Sequence, residues 1–145
     1  MPTDFFTEAQ KEQLVQAIRQ AETQTSGEIK VHVEQRCSHP NALERAKEVF
    51  VALHLHETQL RNGVLFYLAL DDRKFAILGD QGIDRLVPGD FWRNIKDTMR
   101  SFFGCGDFVS GLTEGIRMAG EQLRENFPCS EDDANELPDD ISFGQ

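Results

Sequence analysis

Four oxygen-bearing side chains each stand beside a turn-forming glycine: Gly27-Glu28, Asn62-Gly63, Gly79-Asp80 and Gly106-Asp107. Glycine lets a backbone turn tightly and bring a neighbouring side chain to a loop tip. Carboxylate and amide oxygens, with no thiolate or imidazole among them, suit Ca²⁺ or Mg²⁺ rather than zinc or copper. Three carboxylates gathered in one place repel, and a cation relieves that repulsion. Glu28, Asn62, Asp80 and Asp107 are therefore the candidate metal ligands, with backbone carbonyls of Gly63, Gly79 and Gly82 completing the cage. Asp71, Asp72 and Asp84 are the secondary candidates. Each acid also has a plainer role open to it. Asp107 can cap a helix, Asp80 can sit in a solvated turn, and Glu28 can pair with Lys30 or Arg61.

The elements that must position these groups follow from periodicity. Thr7 with Gln10 three residues later forms a capping box, and Leu14, Ile18 and Ala21 then fall on one helical face. Glu28–Glu34 alternates strictly and predicts a strand with Ile29, Val31 and Val33 inward. Pro40-Asn41 opens a second helix. Residues 64–70 and 74–79 are apolar runs separated by the charged reversal Asp71-Asp72-Arg73, so they predict antiparallel buried strands. A third helix starts near Asp90 as its cap, with Trp92, Ile95, Met99 and Phe102 on one stripe, and Asp107 is placed to cap a fourth. That last helix holds Gly111, Gly115 and Gly120, whose cost of up to ~1 kcal/mol each points to close packing on the sheet or to a weak helix start.

The order α-β-α-β-β-α-α predicts a three-layer α/β/α sandwich with a small mixed sheet carrying one antiparallel strand. The strand–helix–strand unit from Glu28 to Leu70 is expected to be a right-handed parallel crossover. Strand directions then place Glu28, Asn62, Gly63, Gly79, Asp80 and Gly82 at one shared end. The Gly106-Asp107 loop, leading into a packed helix, is expected to reach the same end. The Asp71-Asp72 tip falls at the opposite one.

The bulk numbers narrow the function. The chain of 145 residues carries 25 acids and 15 Lys or Arg, for a net charge of −10. That balance disfavours nucleic acid and anionic membrane surfaces. No apolar run reaches the ~18 residues of a membrane span. The start Met1-Pro2-Thr3-Asp4 has neither the basic region nor the apolar core of a secretion signal, so a cytoplasmic protein is expected. Cys37, Cys105 and Cys129 are unpatterned, which argues for reduced thiols. His54 and His56 are two apart and would not face together on a helix; Cys37-Ser38-His39 is a possible soft-metal pair. Residues 128–145 hold six acids (Glu131, Asp132, Asp133, Glu136, Asp139, Asp140) and no base. The division expected is a packed domain over 1–127 and an acidic, mostly extended tail over 128–145, with Asn135–Pro138 and Ile141–Phe143 as docking points.

Five motifs in register carry a resemblance: Thr25-Ser26-Gly27-Glu28-Ile29, Arg61-Asn62-Gly63-Val64-Leu65, Asp71-Asp72-Arg73-Lys74, Gly79-Asp80-Gln81-Gly82-Ile83, and Gly106-Asp107-Phe108 followed by Gly111 and Gly115. Together they resemble the TPM domain, whose name joins a thylakoid lumen protein, a photosystem II repair protein and a nematode receptor modulator. The resemblance implies an α/β/α sandwich and binding of divalent cations, notably calcium. It also implies one of two activities, non-catalytic assembly with protein partners or acid phosphatase action. The chain departs from the common pattern at Gly79-Asp80-Gln81-Gly82-Ile83, where many members have a Gly-x-Gly-x-Glu type loop. Asp84 falls roughly where the family's acid would stand.

The function expected is a calcium-binding, non-catalytic interaction module acting through an unknown protein partner. The alternative is a metal-assisted acid phosphatase acting on phosphomonoesters. It needs a positive clamp for the phosphoryl group, for which only Arg61 and Arg85 lie near the expected site. No Gly-x-Ser-x-Gly, P-loop or His-Glu-x-x-His pattern occurs.

Overall fold

A computed structural model describes residues 6–128 and 141–143. Cys129, the six acids of the tail and Asn135–Pro138 lie outside the described residues. Helix α1 (Glu8–Glu22) begins with the expected reciprocal bonds: Gln10 N donates to Thr7 Oγ1 at 3.0 Å, and Thr7 N donates to Gln10 Oε1 at 2.9 Å. Strand β1 is Glu28–Glu34. Helix α2 (Ala42–Ala52) is capped by Asn41, which accepts from Leu43 N at 2.8 Å. A 3₁₀ turn at Leu55–Glu57 leads into β2 (Gly63–Ala69) and β3 (Lys74–Gly79). A single-turn helix α3 (Gln81–Asp84) follows, then α4 (Phe91–Gly104), α5 (Phe108–Asn126) and a short strand β4 (Ile141–Phe143).

The sheet order is β3-β2-β1-β4. β1 and β2 run parallel, Glu28 opposite Gly63 through Glu34 opposite Ala69, and β3 runs antiparallel to β2. β4 adds a parallel strand on the free edge of β1, pairing Val31 with Ile141 and Val33 with Phe143. Alternation decides which layer each residue joins. Ile29, Val31, Val33, Val64, Phe66 and Leu68 meet Leu14, Ile18, Ile95, Met99, Leu112 and Ile116 in the main core under α1, α4 and α5. Leu65, Tyr67 and Ala69 meet Ala46, Val49 and Phe50 of α2 on the other face. Each fully buried aliphatic or aromatic side chain contributes ~1.5–3 kcal/mol. Glu28, Lys30, His32 and Glu34 lie on the α2 face and are buried too. The strict alternation of β1 thus separates an apolar core from a covered polar layer, not from solvent.

The three glycines of α5 mark close contacts, mainly with other helices. A Cβ at Gly111 would stand 2.4 Å from the Phe103 ring, at Gly115 2.7 Å from Met99 Sδ, and at Gly120 2.8 Å from Ala21 Cβ. None of the described helices is long and apolar enough to cross a membrane.

Candidate functional site

At the amino ends of β1 and β2 the structure does bring Glu28, Asn62 and Asp80 to one side of the molecule, but each is already engaged. Arg61 reaches over Asp80 with both arms of its guanidinium, Nε to Oδ2 at 2.8 Å and Nη2 to Oδ1 at 3.1 Å. Asp80, only 6% exposed, also accepts from Gln81 N at 2.8 Å and so caps α3. The hydrogen bond to Asp80 raises the Arg61 pKa. Arg61, whose backbone is left-handed (φ 52°), thus pairs with Asp80, which is neither a free ligand nor a solvated turn residue. Asn62 is buried and structural: its carbonyl accepts from Glu28 N at 3.3 Å and its Nδ2 donates to Ser26 Oγ at 3.4 Å. Glu28 is buried and has interactions of its own. Asp84 accepts from Trp92 Nε1 at 3.1 Å.

The three loop glycines at this end admit neighbours rather than a ligand. A Cβ at Gly79 would lie 2.3 Å from the Trp92 ring, one at Gly63 2.9 Å from the Leu55 carbonyl, and one at Gly82 2.2 Å from the Leu60 carbonyl. The Gly63 carbonyl is taken by Asp80 N at 2.9 Å.

Asp107 is elsewhere, and this corrects the expected convergence. Helix α4 starts with Trp92 against Gly79 and ends with Phe103 against Phe75, so it runs the full length of the sheet. The turn Cys105–Asp107 is thereby carried to the carboxyl ends of β1 and β2, beside the Asp71-Asp72-Arg73 tip. Helix α5 then returns, and its end closes on the opposite edge, where the Phe127 carbonyl accepts from Ser26 N at 2.8 Å. Asp107 caps α5 by accepting from Ser110 N at 3.1 Å, and the hydrogen bonds from Ser110 lower its pKa. Asp72 accepts from Cys37 N at 2.7 Å, and Asp71 accepts from Gln35 Nε2 and faces Arg36 at 3.7 Å. Among the described residues, no three His, Cys, Asp or Glu stand close enough to hold a metal ion between them.

What this end does contain is a cleft of about 670 Å³ lined by Leu68, Leu70, Arg73, Phe75, Arg100, Phe103, Gly104, Gly106 and Phe108. The rings of Phe75 and Phe103 meet edge to face at 5.0 Å between centroids, and Phe103 and Phe108 stand 5.2 Å apart. The Arg100 guanidinium lies 5.7 Å from the Phe75 ring centroid. Gly106 makes the turn with φ +80°, a conformation that costs glycine nothing. Ligands of α/β sheets characteristically bind outside the carboxyl ends of parallel strands. Nothing in the sequence marks Arg73 and Arg100 as neighbours; only the path of α4 brings them to one cleft.

A second polar constellation lies beneath α2. Glu34 is 3% exposed and accepts from Arg45 Nε at 2.9 Å and Nη2 at 2.7 Å, from Tyr67 Oη, and from His32 Nε2 at 3.1 Å. Burial alone would push the Glu34 carboxyl up. The hydrogen bonds from Arg45, Tyr67 and His32 outweigh it and hold the pKa at about 2. Burial pulls the His32 pKa down, against the opposing bond to Glu34. A neutral His32 that donates through Nε2 offers Nδ1 as an acceptor to the Ser142 hydroxyl, 2.8 Å away on β4. Arg45 also bonds Glu48 at 3.0 Å, and His39 bonds the same carboxylate at 2.9 Å. His39 thus does not join Cys37, whose thiol donates to the His39 carbonyl at 3.1 Å. The signal for this network was the lone tyrosine in an apolar run, since a buried phenol seeks a partner.

The fold and its motifs have counterparts. A family model of the TPM domain matches residues 1–122. The NMR structure of the BA42 protein from the psychrophilic bacterium Bizionia argentinensis superposes with a TM-score of 0.90 at 44% identity, covering 97% of this chain and 96% of that one. The N-terminal domain of a P. gingivalis protein gives 0.69 at 22% identity, covering 84% and 78%. That of the cg2496 protein from Corynebacterium glutamicum gives 0.67 at 10% identity, covering 96% and 81%. The last two share the fold alone. No protein of curated function matches the chain. With its motifs on the strands and turns described above and the family model spanning most of its length, the chain belongs to the TPM domain family.

Proposed function

We propose that this protein is a non-catalytic interaction module that takes a divalent cation, calcium before magnesium, at the carboxyl end of its parallel strands. The observation that carries this is that both acidic turns, Asp71-Asp72 and Asp107, flank the same cleft, since Leu70, Arg73, Gly106 and Phe108 all line it. An ionised carboxylate has about four lone-pair directions, and each of these acids spends only part of that capacity on its protein partner. Since no three acids cluster among the described residues, a cation there would take carboxylate oxygens from one turn at a time and draw its remaining ligands from water or from a partner protein, which suits calcium's flexible six to eight coordination. Asp80 is the weaker candidate because Arg61 already neutralises it.

The test is a calcium titration of the isotope-labelled full chain followed by amide NMR. Shifts are expected at residues 70–73 and 105–108. Shifts confined to residues 28, 62–63 and 79–84 would move the site to the other end, and no shifts at all would reject cation uptake.

The phosphatase alternative gains one specific support: Arg73 and Arg100 supply, at this end, the positive clamp that the Asp80 end lacks. A metal-polarised phosphoryl group would need such groups to balance its charge. Turnover of a generic phosphomonoester that depends on calcium and falls in Arg100→Gln would favour it. Equal rates in both proteins would point to contamination.

A further inference from the structure

We propose that the cleft between the β2–β3 tip and the α4–α5 turn binds a small amphipathic anion, with one carboxylate or phosphate group joined to an aromatic-sized apolar body. This rests on the carboxyl end being the binding end, and not on cation uptake.

The first ground is charge. The chain carries −10 overall, yet the cleft wall includes two arginines and no carboxylate. Arg73 has no acidic partner among the described residues. Arg100 pairs with Asp97 at 3.2 Å, but both side chains are mostly exposed, and such a pair is weak. Both guanidinium groups are thus available, and their planar donor fork matches a carboxylate or phosphate. Among the described residues the flanking acids form no ion pair with either arginine: Asp72 accepts from Cys37 N, Asp107 accepts from Ser110 N, and Asp71 accepts from Gln35 and faces Arg36.

The second ground is the apolar floor. Phe75, Phe103 and Phe108 are each only partly buried, although they touch one another. Gly111 makes this possible, since any side chain there would strike the Phe103 ring. The half-covered rings present faces and edges to an incoming ring, the geometry in which aromatic pairs attract. Arg100 lies over Phe75, where the apolar floor meets the charged wall. A ligand with its ring on the floor would therefore carry its anion to Arg100 and Arg73. The volume of about 670 Å³ falls within the range of small-molecule pockets, roughly 300–1,000 Å³.

The experiment is an amide NMR titration of the full chain with four probes: phenyl phosphate, benzoate, inorganic phosphate and benzyl alcohol. It is run first in EDTA and then in calcium. Phenyl phosphate or benzoate is expected to shift Leu70, Arg73, Phe75, Arg100 and Phe103, and to bind about tenfold more tightly than either half-probe. Whichever of the two binds better identifies the anion. Arg73→Gln and Arg100→Gln, both at exposed sites, are each expected to weaken that probe about tenfold while leaving the melting temperature unchanged. Benzyl alcohol binding as tightly as the charged probes would overturn the proposal. So would affinity indifferent to both substitutions, or no binding in either buffer. Probe binding in EDTA without any calcium shift would reject the cation reading and keep this one. Calcium shifts without probe binding would do the reverse.

Discussion

Glu34→Gln removes the charge at the centre of the network beneath α2 and keeps its shape. The native carboxyl is held at about 2 against an ordinary 4.5, because three donors outweigh the cost of burial. That difference corresponds to about 3 kcal/mol of folding stability at neutral pH. The sign follows from the depressed folded value. The contribution is complete above the unfolded pKa near 4.5 and is lost as pH falls toward 2. The gap between wild type and Glu34→Gln should therefore be about 3 kcal/mol at pH 7 and shrink to about 1.5 kcal/mol at pH 3. In melting temperature the neutral-pH gap is about 10 °C for a chain of this size. His32 adds to the acid sensitivity of both proteins. Its folded pKa is lowered, so stability falls as pH drops below the ordinary histidine value of 6.5. Urea unfolding at pH 7, 5 and 3 reads both effects. A gap that stays constant across this range would refute the linkage, and a gap under about 0.5 kcal/mol at pH 7 would refute the claim that the network stabilises the fold.

Two further substitutions test the packing that positions the ends of the sheet. Gly79→Ala drives a methyl into the Trp92 ring, 2.3 Å away, and should cost about 1–3 kcal/mol in urea unfolding; a neutral result would mean that α4 shifts freely over β3. Ser142→Ala deletes the hydroxyl that bonds His32 and should cost about 1 kcal/mol, read as faster amide exchange at residues 141–143 with the main core unchanged; unaltered exchange would show that backbone pairing with β1 alone holds β4.

The elements were legible because local signals and tertiary needs agreed. The Thr7–Gln10 box, the Asp107 cap and the β2–β3 reversal formed where residue type demanded them, whereas Asp90 opens α4 without a side-chain cap bond. The α/β sandwich followed from the order of those elements. Two features were less visible. The cover over the polar side of β1 is not legible because alternation cannot tell a covered polar layer from an exposed one, and only the arrival of Arg45 on α2 decides it. Ile141–Phe143 was visible as an apolar segment within an acidic tail, but its pairing with β1 depends on an edge that sequence does not display.

The misplacement of Asp107 has a geometric cause that chain length alone exposes. A helix of 14 residues advances about 21 Å at ~1.5 Å per residue. A strand of seven residues spans about 23 Å at ~3.3 Å per residue. Helix α4 is therefore as long as the sheet it covers. Having begun beside Gly79, at the amino ends of β1 and β2, it has no room to end anywhere but at their carboxyl ends. Asp107 must then open α5 beside the Asp71-Asp72-Arg73 tip, and α5, at 19 residues, is long enough to travel back. Strand direction alone told which strand ends coincide. It did not tell where a helix that crosses the whole sheet delivers its following turn. The polar groups at the Asp80 end then resolve into what secures the crossing: a carboxylate locked by Arg61 and a glycine that seats Trp92. The end left with two arginines and half-exposed rings is the one to which a ligand adds contacts instead of displacing them.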